Sequence, residues 1–202
     1  MGSLGAQAQA LKIIRKYRGI LRTRDALRLG VHPRTLYQLR DEGTLEELSR
    51  GIYRLASLPQ PGNPDLITVA MRVPRAIVSL ISALSFHEIT TQIPNEVQIT
   101  LPRGTKSPKI TYPPIRVFRW SGAPLTTGIE RVEVDAIPIR VYCPEKTVAD
   151  CFRFRNRIGL DVAIEALNFC IERKRSKPAD LLRYARICRV ERVMLPYLQA
   201  RQ

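Results

Sequence analysis

Residues 30–43 read Gly30-Val-His-Pro-Arg-Thr-Leu-Tyr-Gln-Leu-Arg-Asp-Glu-Gly43. Pro33 suits the first position of a helix, because its fixed φ is already helical and its missing N–H would have no intrahelical partner there. Leu36 and Leu39 recur at i, i+3 and predict the buried side of a helix running to about residue 42, where Gly43 closes it. Upstream, Thr23 is placed to cap a helix through residue 29, with Ala26, Leu27 and Leu29 on its apolar side and Gly30 at its end. Val31-His32 forms the turn between the two helices, which is the helix-turn-helix plan. A further helix over residues 7–17 carries Leu11, Ile14 and Tyr17 on one stripe, and residues 18–22 read as a short extended link. Downstream, strands over 44–49 and 52–55 meet at Arg50-Gly51. A hairpin directly after the second helix reads as the wing of a winged helix, with Leu45, Leu48, Ile52 and Leu55 covering the helical core.

This plan places the second helix in a DNA major groove, its N-terminal residues nearest the base edges. With Leu36 and Leu39 assigned to the core, Arg34, Thr35, Tyr37 and Gln38 are the expected base readers. Arg offers a bidentate fork to guanine and Gln an amide to adenine. Arg22, Thr23, Arg24, His32, Arg40 and Arg50 are the expected contacts to phosphate or the minor groove, with Arg50 at the wing tip.

Ser57-Leu-Pro-Gln-Pro-Gly-Asn-Pro-Asp65 breaks regular structure and divides the chain. The expected organisation is a winged helix-turn-helix over 1–57, a Pro-rich linker over 58–65, and a larger α+β domain with a mostly antiparallel sheet over 66–202. In that larger part, helices are expected over 66–73 and 75–87, split by Pro74. Ile77, Leu80, Ile81 and Leu84 form the core stripe of the second, and His87 serves packing or capping. Residues 96–101 alternate and predict a half-buried strand; further strands are expected over 109–112 and 115–120, and a hairpin over 128–142 turns at Asp135-Ala136. Helices follow over 144–155, with Val148, Ala149 and Phe152 inward, from Asp161 to Lys174 with Asp161 as its cap, and from about Pro178. Pro196 makes the tail from Val190 ambiguous. Lys146 and Asp150, at i, i+4, read as a surface ion pair.

The 202 residues carry 33 Lys and Arg against 18 Asp and Glu, a net charge of +15. Self-repulsion of that size is characteristic of a protein whose partner is a polyanion. Residues 1–57 alone hold 11 basic and 5 acidic side chains, a net +6. No stretch predicts a membrane span, and the start lacks a basic-then-apolar signal, so the expectation is a cytoplasmic protein with no membrane partner. Cys143, Cys151, Cys170 and Cys188 lack Cys-x-x-Cys spacing and only two histidines are present, so buried reduced thiols are expected, with no metal and no cofactor. No phosphate-binding Gly-rich loop and no nucleophilic triad is apparent, which argues against an enzyme. The enzymatic alternative is a metal-dependent nucleotide-acting site at Glu133 and Asp135, for which the simpler reading is the solvent side of a hairpin. An RNA-binding module is a second alternative, disfavoured by an aromatic content of 6%.

The stretch 30–43, continuing to Leu48-Ser-Arg-Gly-Ile-Tyr-Arg54, resembles the winged-helix part of AbiEi-type antitoxins, the DNA-binding members of type IV toxin–antitoxin (abortive infection) pairs. Ser79-Leu-Ile-Ser-Ala-Leu-Ser-Phe-His-Glu-Ile89 and Pro144-Glu-Lys-Thr-Val-Ala-Asp150 extend the resemblance into the C-terminal part. The resemblance implies a bacterial repressor that binds inverted repeats in double-stranded DNA upstream of its own operon, a phage-defence locus. It implies that the C-terminal domain counters a nucleotidyltransferase-like toxin. Some relatives act as stand-alone regulators, which is the alternative reading.

Overall fold

The computed structural model describes residues 3–173 and 176–200. The chain forms two compact units, one running to Met71 and including Val134–Ile137, the other comprising Arg72–Glu133 and the chain from Pro138 onward. Lys174, the expected end of one helix, lies outside the described residues.

The first unit runs α1 (Ser3–Lys16), β1 (Ile20–Arg22), α2 (Thr23–Arg28), α3 (Pro33–Asp41), β2 (Leu45–Ser49), β3 (Ile52–Leu55) and α4 (Pro64–Arg72). The expected wing hairpin is β2–β3, and β1 adds a third antiparallel strand, pairing Ile20 with Arg54, so the sheet order is β1-β3-β2. The link read as merely extended is thus a strand. Ile14, Leu36, Leu39, Leu45 and Tyr53 meet in the core beneath this sheet. Each such side chain contributes roughly 1.5–3 kcal/mol through area removed from water.

Three expected core residues lie outside it. Tyr17 is 44% exposed, Leu27 46% and Leu29 38%. α1 stops at Lys16, so Tyr17 has left the helical stripe, and the six-residue α2 turns only Ala26 inward. Thr23 does not cap α2: Arg22 holds the N-cap position without a side-chain hydrogen bond, because Thr23 directs both its amide and its hydroxyl to the Gly51 carbonyl. Arg54 on β3 is 2% exposed. Its guanidinium donates to the Glu46 carboxylate at 2.9 Å and to the carbonyls of Leu58 and Pro59 at 2.7 and 2.6 Å, fixing the start of the Pro-rich segment.

The second unit contains β4 (Ile77–Val78), α5 (Leu80–Phe86), β5 (Val97–Pro102), β6 (Ile115–Trp120), α6 (Ala123–Thr126), β7 (Ile129–Val134), β8 (Ile137–Tyr142), α7 (Pro144–Arg153), α8 (Arg155–Ile158), α9 (Leu160–Glu172), α10 (Pro178–Ile187) and α11 (Glu191–Gln199). The sheet order is β6-β5-β4-β8-β7. The α+β class holds, but the pairing in this sheet is mixed rather than mostly antiparallel. β4 runs antiparallel to β5, whereas β5–β6 and β4–β8 are parallel. The chain between β5 and β6 is long enough to return and lay β6 in the direction of β5, and residues 109–112 in that return are not a strand.

Ile77 lies on β4, not on a helix, and Val97–Leu101 are buried on both faces rather than alternating. Both corrections follow from the central place of β4 and β5, where a strand covered on two sides carries a continuous apolar run. The hairpin turn at Asp135 and Ala136 is present, both residues having positive φ as a tight primed turn requires. α9 takes Gly159 rather than Asp161 as its N-cap. α11 continues through Pro196, which settles the ambiguous tail as helix.

The largest departure is at Lys146 and Asp150. The pair is not on the surface; the side chains are 0% and 1% exposed within α7, which packs against α5, α9 and α10. Lys146 Nζ donates to both Asp150 carboxylate oxygens at 2.6 Å and stands 4.0 Å from the centre of the Tyr142 ring. Cys188 Sγ donates to Asp150 Oδ1 at 3.4 Å. Burial pushes the Asp150 carboxyl upward, and the Lys146 ammonium opposes that shift.

Candidate nucleic-acid interface

α3 begins on His32, whose Nδ1 accepts the Arg34 N–H at 3.1 Å and so caps the helix. Successive residues then step by about 100°. Leu36 and Leu39 turn into the core, while Arg34, Tyr37 and Gln38 are exposed, three side chains at i, i+3, i+4 on one outward face. Tyr37 is 45% exposed, and the Arg40 guanidinium lies 5.4 Å from its ring centre. Thr35 is only 7% exposed. It lies one helical turn before Leu39 and so joins the buried stripe, which withdraws it from the base-reading face.

The expected backbone contacts divide in the same way. Arg24 and Arg50 are exposed, Arg50 at the wing turn. His32 is exposed but its Nδ1 is occupied by the cap. Arg22 is half-buried, its guanidinium bound to the Asp25 carboxylate and donating to the Met71 carbonyl at 2.6 Å. Thr23 is held on Gly51. Arg40 donates twice to Asp41, at 2.9 and 2.7 Å, and its Nη1 stands 3.9 Å from Glu47 Oε2. That carboxylate pair raises the Arg40 guanidinium above its ordinary range, the Asp41 hydrogen bond being the larger cause. Arg22, Thr23 and Arg40 are therefore engaged within the protein. Arg28, exposed in the last turn of α2, is a cation that the sequence reading leaves out. Its signal is its position, one turn beyond Arg24 on a short basic helix.

Glu133 and Asp135 do not make a carboxylate pair on one strand, because Asp135 stands in the turn after β7 at φ +47. Among the described residues, no group of three or more His, Cys, Asp or Glu side chains comes together to hold a metal ion. His87 Nε2 lies 2.7 Å from the Tyr142 carbonyl, a packing role. The four cysteines are free and buried. Among the described residues, no helix is long and apolar enough to cross a membrane.

Among solved structures, the RV2827C protein from Mycobacterium tuberculosis superposes with a TM-score of 0.51 at 14% identity, covering 98% of this chain and 82% of that one, a likeness of fold. A search of curated proteins returned no match. Over residues 9–56 the chain matches the family described as transcriptional regulator, AbiEi antitoxin, which bears out the AbiEi-type resemblance carried by Gly30–Gly43 and Leu48–Arg54.

Proposed function

We propose that this protein is a sequence-specific repressor of its own toxin–antitoxin operon. Residues 1–57 act as the DNA-binding head, 58–65 as the linker, and 66–202 as the domain that counters a nucleotidyltransferase-like toxin. The observation that carries the DNA half is the outward face of α3, where Arg34, Tyr37 and Gln38 stand together on a helix whose other side is core. Arg34 and Gln38 read base edges, Tyr37 offers an amphipathic face beside them, and Arg24, His32 and Arg50 approach the backbone or the minor groove. The toxin half rests on the family description, and it is tested by co-expression with the neighbouring open reading frame: rescue of growth by residues 66–202 supports it, and failure of the full chain to rescue removes it.

Two substitutions test the DNA half. Arg34→Ala weakens binding to the operator by about 1–3 kcal/mol and relaxes the preference at one base position. Arg50→Ala weakens binding to all duplexes and lowers the slope of log affinity against log salt by about one. Equal loss on operator and unrelated duplex reduces Arg34 to a phosphate contact; an unchanged slope removes Arg50 from the interface.

A further inference from the structure

Glu47 stands at the junction of the three elements that the DNA reading places on the duplex. Its Oε1 accepts the Gly51 N–H at 2.7 Å, inside the wing turn. Its Oε2 faces Arg40 Nη1 of the recognition helix at 3.9 Å, and Arg40 in turn lies against the Tyr37 ring. The Gly51 carbonyl accepts the Thr23 amide at 2.9 Å and the Thr23 hydroxyl at 3.3 Å, which joins the wing turn to the start of α2. One carboxylate thus links α3, the wing and, through Gly51, α2.

The local backbone is built for this link. Strand pairing shifts from Glu47 opposite Tyr53 to Ser49 opposite Ile52, leaving Leu48 as an extra residue just before the turn. Such a bulge bends a strand and re-aims its side chains. Gly51 has φ +73, and a Cβ there would meet Thr23 Oγ1 at 3.4 Å. The Tyr53 phenol opposite Glu47 is raised above its ordinary range, first by burial and then by the Glu47 charge.

We propose that Glu47 is a positioning residue for DNA recognition, holding the wing turn and the base-reading face of α3 in one register. The proposal rests on the DNA-binding reading. It makes a prediction opposite in sign to simple electrostatics. A carboxylate beside a polyanion repels it, so charge alone predicts that removing Glu47 tightens binding to every duplex.

The experiment measures the full-length chain against its own upstream duplex and a scrambled duplex of equal length, at several salt concentrations. Thermal midpoints are recorded for every variant. Glu47→Ala is expected to weaken operator binding about tenfold, the weight of one charge-assisted hydrogen bond, while scrambled-duplex binding stays equal or tightens. Glu47→Gln keeps an oxygen for the Gly51 amide and is expected to recover most of the operator affinity. In the Glu47→Ala background, Arg50→Ala is expected to lose most of its effect, because the wing no longer places Arg50. Tighter binding of Glu47→Ala to both duplexes, or an Arg50→Ala effect that is undiminished in that background, overturns the proposal. If Glu47→Ala unfolds, Glu47→Gln combined with Arg50→Ala decides through the same coupling. A wild-type chain with no operator preference overturns the underlying DNA reading, and does so before any variant is made.

Discussion

A charge sealed from water needs a partner in fixed geometry, and Lys146 and Asp150 meet that condition with two 2.6 Å contacts on adjacent turns of α7. Removing one member strands the other. Asp150→Asn or Lys146→Met is expected to cost about 3–5 kcal/mol in denaturant unfolding, whereas a double replacement by apolar residues of similar volume costs less than either single change. Double losses equal to the sum of the singles contradict this. Trp120, the one tryptophan in the chain, lies 5.4 Å from Lys146 Nζ and provides the fluorescence signal. His32 makes a smaller contribution of another kind. His32→Ala removes the acceptor for the Arg34 amide and is expected to cost about 0.5–2 kcal/mol, with His32→Asn recovering most of it. The i, i+4 spacing of Lys146 and Asp150 is the same in sequence whether a helix lies on the surface or between others. Their burial is decided by α5, α9 and α10, distant in the chain, and was not legible there.

At the scale of elements, α3 and the wing were legible because their signals are local: a Pro at the first helical position, leucines at i, i+3, and a Gly turn between two short apolar runs. The same periodicity, carried one step further, assigns Thr35 to the buried stripe with Leu39. β1 and β4 were not legible. A two- or three-residue strand shows no period of its own, and β4 exists because β5 and β8 pair on either side of it. Arg22 shows the same limit among site residues. Its partner, the Met71 carbonyl, is 49 positions away, so a cation read as a phosphate contact proves to be tied inward. Gly51 concentrates the constraints of the wing. Its left-handed φ is strained for any other residue, so Gly51→Val is expected to destabilise the first unit and to abolish the Arg50 contribution to DNA affinity. Heteronuclear spectra of the variant against wild type distinguish a local change at the wing from loss of the unit.

For the whole molecule, four buried thiols and a large positive charge set the response to pH and salt. Burial pushes Cys143 up to about 11 and Cys188 up to about 12, from an ordinary value near 9. Between those values the unfolded chain has lost protons that the folded chain keeps, so unfolding becomes easier as pH rises. The stabilisation from these thiols is fully present below about pH 9 and is lost progressively toward pH 11–12. Denaturant midpoints are expected to fall between pH 8 and pH 10.5, and native-state thiol alkylation at pH 8 is expected to be slow until denaturant is added. The net charge of +15 was legible at once and pointed to a polyanion. Which cations face outward was not, since that depends on the ion pairs that Arg22, Arg40 and Arg54 make within the fold.

The most direct measurement is a competition between the duplex upstream of this gene and a scrambled duplex of the same composition, read at fixed salt for wild type and Arg34→Ala. The account predicts a wild-type preference of about 10³-fold or more for the upstream duplex, reduced sharply by the substitution. Equal affinity of the wild-type chain for both duplexes contradicts it.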